Sequence, residues 1–369
     1  MNQFIPTPFL PASHFNKRHI FSFLATLFCL LGCFVNSSLL LYAQNPRPEE
    51  ARKRIAAARK TNATALDLGY CYLEKLPPEL FTLKNLRSLD IGANWLSEFP
   101  PEIEKLTNLK RLSFAENSRI FYADSLSSLE TLKKLEHLEY LDLSGCCLPE
   151  VPDSVYELSK LKTLNLNRNF LKQIPNDLSN LKNLVKLELS GNSKLKQLPN
   201  VLLKLKSLKH LNLDRTGLKE LPENISELQN IEELSLNYNQ LKTLPDSFAE
   251  LHNLKTLQLE INGLSEIPSP IFKLKNLEKL SIGNMPQFIP NGPLRDEPYD
   301  GPGKNTISSI PKEVSLMSSL KLLAIEDLPL IEAQKNLIAR EYRADNFFQQ
   351  PYCIDLKKLQ AYWNDQQKK

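Results

Sequence analysis

The chain has 369 residues, 46 Lys and Arg, 42 Asp and Glu, and a formal net charge of +4. Its 42% apolar and 24% charged residues are typical of globular proteins, which excludes a wholly disordered chain. The 11 glycines exclude a collagen-like sequence, and the nearly balanced charge gives no sign of a nucleic-acid partner.

The first 43 residues predict a targeting segment. They contain no Asp or Glu, and Lys17 and Arg18 precede an apolar run from Ile20 to Val35. A basic start, an apolar middle and a small or polar end are typical of a secretory signal peptide. We expect cleavage after Ala43, which would release the mature chain outside the cytoplasm as a secreted, periplasmic or cell-envelope protein.

Two alternatives for this segment remain open. The sequence Leu30-Leu31-Gly32-Cys33 resembles a bacterial lipobox, which would make Cys33 a lipidated N-terminus. The apolar run is also long enough to stay uncleaved as a membrane anchor. All three interpretations put the body of the protein outside the cytoplasm, and they allow membrane contact only through this segment.

Residues 44–62 form the next unit of the predicted organisation. They include the charged, Ala-rich sequence PRPEEARKRIAAARKTN, which predicts a helix. Such a helix can cover the apolar end of a repeat array that would otherwise meet water. We therefore interpret residues 44–62 as an N-terminal helical cap.

A repeat occupies residues 63–330. One leucine of its frame recurs about 11 times, at Leu66, Leu89, Leu112, Leu141, Leu164, Leu187, Leu211, Leu234, Leu257, Leu280 and Leu323. Most intervals are 23 residues, and each unit follows the pattern LxxLxLxxNxLxxLPxxIxxLxx. The alternating leucines predict one short strand per unit, and the Leu-Pro and IxxL spacing predicts a short helix or 3₁₀ turn after it.

A second periodic position follows each strand. It holds an asparagine or a cysteine, whose side chain can bond backbone groups that lose their partners as the chain bends. The predicted structural ladder comprises Cys71, Asn94, Asn117, Cys146, Asn169, Asn192, Asn239 and Asn262.

This pattern resembles the leucine-rich repeat family. The 23-residue unit with Leu-Pro is similar to the subclass found in Scribble, Erbin, plant Ras-group proteins and bacterial relatives. The resemblance implies an α/β repeat solenoid, a horseshoe with a parallel β-sheet on the concave face and short helices or 3₁₀ turns on the convex face. It also implies that proteins bind on the concave sheet.

Three segments depart from the frame. The third unit is six residues longer than the others, and its sequence SSLETLKKLEHL predicts a fuller convex helix. The tenth carries a Pro-rich and Gly-rich insertion of 20 residues, placed at 286–306. From residue 331 the frame is lost, and IEAQKNLIAREYR and DLKKLQAYWNDQ predict helices of a C-terminal helical cap over residues 331–369.

Candidate ligand-binding residues come from the concave positions. The residues that flank the strand leucines point to the open face and are mostly small, polar or acidic. Tyrosine and arginine are enriched at binding hot spots. The larger concave candidates are Tyr140, Arg168, His210, Arg215, Tyr238 and Glu260.

No pattern predicts catalysis. His137, His210 and His252 lie in three different units, and no Ser-His-Asp or Cys-His set converges. The sequence predicts no catalytic residue, no metal site, no cofactor and no enzyme activity. It favours a binding module for a protein or a surface glycan, and the alternatives are a self-associating cell-surface protein and a membrane-anchored scaffold.

Overall fold

The computed structural model describes residues 47–118, 125–284, 303–335, 337–340 and 352–367. The predicted signal segment 1–43, the lipobox-like Cys33, most of the insertion and residues 341–351 lie outside the described residues. Side chains of residues 125–127, 338–340 and 352–353 are likewise not described.

One sheet of 13 short strands runs through the repeats, in the order β1 to β11, then β13, then β12. The strands are β1 (Ala65–Asp67), β2 (Ser88–Asp90), β3 (Arg111–Ser113), β4 (Tyr140–Asp142), β5 (Thr163–Asn165), β6 (Lys186–Glu188), β7 (His210–Asn212), β8 (Glu233–Ser235), β9 (Thr256–Gln258), β10 (Lys279–Ser281), β11 (Leu322–Ala324), β12 (Ile338–Arg340) and β13 (Tyr352–Ile354).

Strands β1 to β11 are parallel and share one register. The strand leucine of each repeat pairs with that of the next, as Leu164 pairs with Leu187. Both leucines are fully buried. Because one residue separates the two leucines of each LxL motif, both point to the same side of the strand and build a continuous core.

The convex side carries one helical turn per repeat. The 3₁₀ turns are Pro78–Thr82, Pro101–Lys105, Ser125–Lys134, Asp153–Glu157, Asn176–Asn180, Asn200–Lys204, Ile225–Glu227, Asp246–Glu250 and Ser269–Lys273, and α2 (Lys312–Ser315) takes this place in the last repeat. Most begin directly after the Leu-Pro proline; Pro175 has φ −65° there, which suits its ring. The longest turn, Ser125–Lys134, lies in the six-residue-longer unit, which has a 3₁₀ turn where we expected a fuller helix.

Helix α1 (Pro48–Thr61) lies at the N-terminal end of the repeats. Glu49 and Glu50 in its first turn and basic residues in its last turn match the helix dipole. Ala51, Ile55 and Ala58 are its buried face. Spaced three to four residues apart, they cover the apolar edge next to β1.

The C-terminal region differs from the predicted all-helical cap. Among the described residues of this region, Glu332–Lys335 (α3) and Leu356–Gln366 (α4) are helical, and β12 and β13 form an antiparallel pair between them. Strand β13 pairs with β11 through Ala324 and Cys353. The hairpin therefore supplies hydrogen bonds to a strand edge that the helical pattern of 331–343 gave no reason to expect.

The insertion of the tenth repeat begins one residue and ends two residues earlier than the range 286–306 given from the sequence. Asn305 donates through Nδ2 to Ile282 O at 2.8 Å and Leu259 O at 3.0 Å. These bonds are those of a ladder asparagine, so the frame resumes at residue 305 and the extra residues are 285–304. The Asn284 side chain exchanges two hydrogen bonds of 2.7 Å with the Asn305 backbone and joins the two ends of the insertion.

The described residues thus form a repeat solenoid with a parallel sheet on its concave face and 3₁₀ turns and short helices on its convex face. A single hydrophobic core runs from α1 to α4. Its continuity leaves the polar residues of the strands on the opposite, concave side.

Candidate functional site: the concave sheet face

The ladder asparagines lie inside the solenoid and hold its turns. The Asn94 amide donates to Leu68 O of the preceding repeat at 3.0 Å and to Ile91 O of its own repeat at 2.9 Å. Its Oδ1 accepts a hydrogen bond of 2.9 Å from Leu73 N. Asn239 makes the corresponding bonds and is fully buried. This row acts on backbone groups and does not face a ligand.

Three members of the ladder are not asparagine, namely Cys71, Cys146 and Thr216, and sequence reasoning missed the threonine. The Cys146 thiol donates to Phe114 O at 3.4 Å, and burial raises its pKa well above the ordinary value. Thr216 occupies the ladder position of its repeat, where its hydroxyl donates to Leu213 O at 2.7 Å. A threonine hydroxyl supplies the donor that an amide supplies elsewhere, which the search for Asn and Cys overlooked.

A second ladder, on the convex side, was also missed. Asn108, Asn183, Asn230, Asn253 and Asn276 each donate through Nδ2 to a backbone carbonyl one repeat earlier, at 2.7–2.9 Å. Each stands four residues before its strand leucine, in a motif LxNL or, at Asn230, LxNI. The recurrence of that asparagine was the signal that could have revealed it.

The concave face contains a groove over β2, β3 and β4. Its volume is about 220 Å³, and it is lined by Ser88, Leu89, Asp90, Arg111, Ser113, Tyr140 and Asp142. Asp90 and Arg111 are exposed, and Leu89 is buried beneath them. The groove therefore combines two opposite charges with an apolar floor.

The Arg111 side of the groove is held by a chain of contacts. The guanidinium carbon of Arg111 lies 4.0 Å from the centroid of the Tyr140 ring, and the Tyr140 hydroxyl donates to Asp142 Oδ2 at 3.1 Å. Burial, with Asp142 beside it, raises the pKa of Tyr140 to about 12, so the phenol keeps its proton. Asp142 also accepts from Ser144 N at 2.9 Å and Asn165 Nδ2 at 2.9 Å.

The Asp90 side is fixed by its own turn. Asp90 Oδ1 accepts a hydrogen bond of 2.8 Å from Gly92 N. A Cβ atom at Gly92 would lie 3.1 Å from both Asp90 Oδ1 and Ala115 O, so a side chain there would crowd the carboxylate. Glycine at this position keeps Asp90 in place and leaves the groove open.

Farther along the sheet, acidic side chains turn inward. Asp214 accepts from Ser235 Oγ at 2.6 Å and Asn237 N at 2.8 Å, and burial raises its pKa to about 6. The Ser281 hydroxyl donates to Glu260, which is 6% exposed. Burial raises the pKa of Glu260 to about 7, although the Ser281 bond opposes that rise.

Several predicted ligand contacts are engaged within the chain. Arg168 pairs with the Glu116 carboxylate, two repeats away, which lies over Gly145. The Arg215 guanidinium lies 3.9 Å from the centroid of the Tyr238 ring, and Tyr238 is buried. His210 Nδ1 lies 3.0 Å from Glu233 Oε2, and His210 is half-exposed while Glu233 is exposed. The structure thus places the candidates along β4 to β9 and does not gather them into one cluster.

The edge of the sheet where the strands begin carries alternating charges. Glu139 bridges Lys110 at 3.1 Å and Lys162 at 2.7 Å, and Glu232 bridges Lys209 at 2.7 Å and Lys255 at 2.6 Å. Hydrogen bonds from both lysines hold the pKa of Glu232 down at about 2. Val185 interrupts the row between Lys162 and Lys209.

The convex side has a polar depression of about 440 Å³, lined by Ser226, Glu227, Gln229, Asn230, Glu250, His252 and Asn253. His252 is ion-paired with Glu250 at 3.0 Å, whereas His137 contacts Lys160 on another repeat. Within the described ranges, no group of three or more His, Cys, Asp or Glu side chains could hold a metal ion. None of the helices that the structure describes is long and apolar enough to cross a membrane.

Comparisons with known proteins agree with this architecture. A family model described as a leucine-rich repeat region matches residues 122–212 and 200–291. A leucine-rich repeat protein of Leptospira interrogans is 30% identical, with a TM-score of 0.58, over 74% of this chain and 71% of that one. The chain belongs to the leucine-rich repeat family, whose fold supports a protein-interaction module.

Two more distant structures share the fold. An internalin from Listeria monocytogenes is 17% identical, with a TM-score of 0.52, over 77% of this chain and 82% of that one. A chain of the Toll–Spatzle complex from Drosophila is 22% identical, with a TM-score of 0.55, over 75% of this chain and 38% of that one. No curated protein matches the sequence.

Proposed function

We propose that this protein is a binding module that acts outside the cytoplasm and recognises another protein on its concave sheet face. The observation that carries the proposal is the groove over β2–β4, where Asp90 and Arg111 are exposed and already held in place by the chain's own contacts. Side chains fixed before binding lose less conformational freedom on association. The Toll–Spatzle complex, which has the same fold, provides a precedent for a protein partner.

The concave candidates divide into two roles in this proposal. Tyr140 and His210 are half-exposed, and we expect a partner to contact them directly. Arg168, Arg215, Tyr238 and Glu260 are engaged with neighbouring repeats, and we expect them to shape the surface on which the partner lies.

The location outside the cytoplasm is supported by the acid-free N-terminal segment with its basic start and apolar run. The intact mass of the mature protein tests it. A chain beginning at Gln44 is expected. A lipid-modified chain beginning at Cys33 would support the envelope lipoprotein alternative, and an uncut chain would support the anchored scaffold.

Site-specific photo-crosslinking tests the concave face. A photoreactive residue replaces Ser113, Thr163 or Asn212 on the sheet, and Glu104 or Lys204 on the convex turns provides the matched control. We expect adducts of one defined mass from the sheet positions only. Adducts from the convex positions alone would contradict the proposal, and adducts between two copies of the chain would favour the self-associating alternative.

No enzymatic activity, cofactor or resident metal is part of this proposal. The described histidines lie in separate repeats.

A further inference from the structure

The groove over β2–β4 keeps two opposite charges apart on neighbouring strands. The parallel register pairs Ser88 with Arg111 and Asp90 with Ser113. Asp90 and Arg111 are therefore diagonal neighbours on one face, with Cα atoms about 8 Å apart from strand geometry. Two long side chains at that separation can form an ion pair, yet none joins them in the part of the chain that the structure describes.

Arg111 and Asp90 are held on opposite walls of the groove, formed by the β4 side and the β2 side, respectively. Arg111 lies over the Tyr140 ring, on the β4 side, which turns its guanidinium away from β2. Tyr140 is in turn anchored to Asp142. Asp90 is held by Gly92 N through one carboxylate oxygen. The other oxygen of Asp90 and the edge of the guanidinium remain available to a ligand across the gap.

Two serines in the groove lining add hydroxyl donors beside the two charges. Ser88 and Ser113 are half-exposed, and neither hydroxyl makes a hydrogen bond to another described residue. Hydroxyls and a guanidinium suit a carboxylate, because all of them donate hydrogen bonds. A doubly charged phosphate or sulfate would meet repulsion from Asp90 and Asp142. A singly charged acid next to a base satisfies both walls.

We propose that this groove binds a protein segment that presents one acidic and one basic side chain, with the acid on Arg111 and the base on Asp90. The proposal rests on the proposed function, since it names the chemistry of the partner on the concave face. The volume of about 220 Å³ suits a pair of side chains and not a folded domain. Charge complementarity of this kind supplies specificity more than bulk affinity.

The test uses the full mature chain and four fluorescein-labelled nonapeptides with the same Ser-Ala background. Their two central charged positions, separated by one serine, carry Glu and Arg, Arg and Arg, Glu and Glu, or Gln and citrulline. Binding is measured by fluorescence anisotropy at low salt. We expect the Glu and Arg peptide to bind at least about tenfold more tightly than each of the other three.

Two conservative variants remove one charge each. Asp90→Asn keeps an oxygen that accepts from Gly92 N, and Arg111→Gln keeps a polar side chain at an exposed position, so both are expected to fold. Each should lower the affinity for the Glu and Arg peptide about tenfold. Lys279→Glu is the matched control, because Lys279 is exposed at the corresponding position of β10, and its affinity should equal that of the wild type.

Arg111→Glu gives the sharper result. It leaves two acidic walls, so the preferred peptide should change from Glu and Arg to Arg and Arg. Equal binding of all four peptides, or a wild-type ranking retained by Arg111→Glu, would overturn the inference. Tighter binding of free lysine or glutamate than of the peptides would overturn the protein-segment form.

Failure here is distinguishable from failure of the proposed function. Concave crosslinks combined with equal binding of all four peptides, or with a wild-type ranking in Arg111→Glu, would support a protein-binding face. They would reject only the role of this groove in recognising an acidic and a basic side chain. Absence of concave crosslinks would reject both.

Discussion

The two halves of the concave face carry their charged side chains at different repeat positions: Asp90 and Arg111 adjoin a strand leucine, whereas Asp214 and Glu260 stand three residues after one. Over β2–β4, Asp90 and Arg111 are exposed and point into an open groove. Over β7–β11, Asp214 is bonded to Ser235, and Glu260 is buried against Ser281. The position in the repeat and the residues one repeat away together decide whether a concave side chain is available to a partner.

The difference follows from small residues and donors. Gly92 leaves space beside Asp90 but offers only its backbone N–H, so one carboxylate oxygen stays open. Ser235 and Ser281 place hydroxyls next to Asp214 and Glu260 and draw those carboxylates onto the sheet. Three residues after the strand leucine, a serine hydroxyl of the next repeat thus turns an acidic side chain into a structural residue.

We expect core leucines beneath the two halves to contribute equally to the free energy of unfolding. Leu141 and Leu257 are fully buried strand leucines below the groove and below the inward-turned acids, respectively. We expect Leu141→Ala and Leu257→Ala each to lower the free energy of unfolding by about 2–5 kcal/mol. Urea denaturation measures both. A clearly smaller cost at one site would show that the halves differ in packing and not only at their surface.

Glu260→Gln should reveal the cost of the inward-turned acid. Because burial raises the pKa of Glu260 in the folded chain to about 7, its stabilising contribution is complete below the unfolded pKa of about 4.3 and is lost as pH rises through about 7. The variant, which cannot ionise, should be more stable than the wild type by about 3 kcal/mol at pH 8 and about equal at pH 4.

Urea denaturation of wild type and variant from pH 4 to pH 8 measures this effect. The same slope in Glu260→Gln as in wild type would contradict an inward-turned, desolvated carboxylate.

The asparagine ladder offers a comparison of intermediate size. Asn239 Oδ1 accepts from Thr216 N and Leu218 N, whereas Asn117 Oδ1 accepts from Leu96 N. Replacement by alanine leaves buried backbone groups without partners, at about 2 kcal/mol for Asn117→Ala and more for Asn239→Ala. Thermal unfolding measures the order, and a reversed order would contradict it.

The smallest expected effect concerns the charged edge between the two halves. Val185 separates Lys162 from Lys209, each already paired with a glutamate on its other side. Val185→Glu would join the two rows of ion pairs and raise Tm by about 1 °C at low salt. High salt should abolish the gain, and Val185→Gln serves as the uncharged control.

The period of the sequence was sufficient to predict the fold. A leucine every 23 residues places a strand, a turn and a convex helical segment in each unit, since one unit cannot bury its leucines alone. The C-terminal strands escaped prediction because IEAQKNLIAREYR has helical spacing, while the unpaired edge of β11 favours a hairpin. Tertiary context decided between the two.

The candidate site was less predictable than the fold. Arg168 and Glu116 are 52 residues apart and meet only because Gly145 leaves space between them. The sequence predicts Arg168 as a concave residue but gives no sign that it pairs with Glu116. Arg111 was likewise not predicted as a site residue, because its orientation depends on the Tyr140 ring in the next repeat.

The bond network at Asn305 has a consequence for how such chains change in evolution. Asn284 and Asn305 occupy adjacent ladder-turn positions although 20 residues separate them in sequence. Excision of 285–304 would restore a 23-residue unit with Asn284 followed directly by the ladder asparagine. A gene could therefore gain, lose or exchange an inserted segment between Asn284 and Asn305 without altering the 23-residue spacing of the strand leucines. This position thus allows one lineage to diversify while its repeat scaffold stays the same.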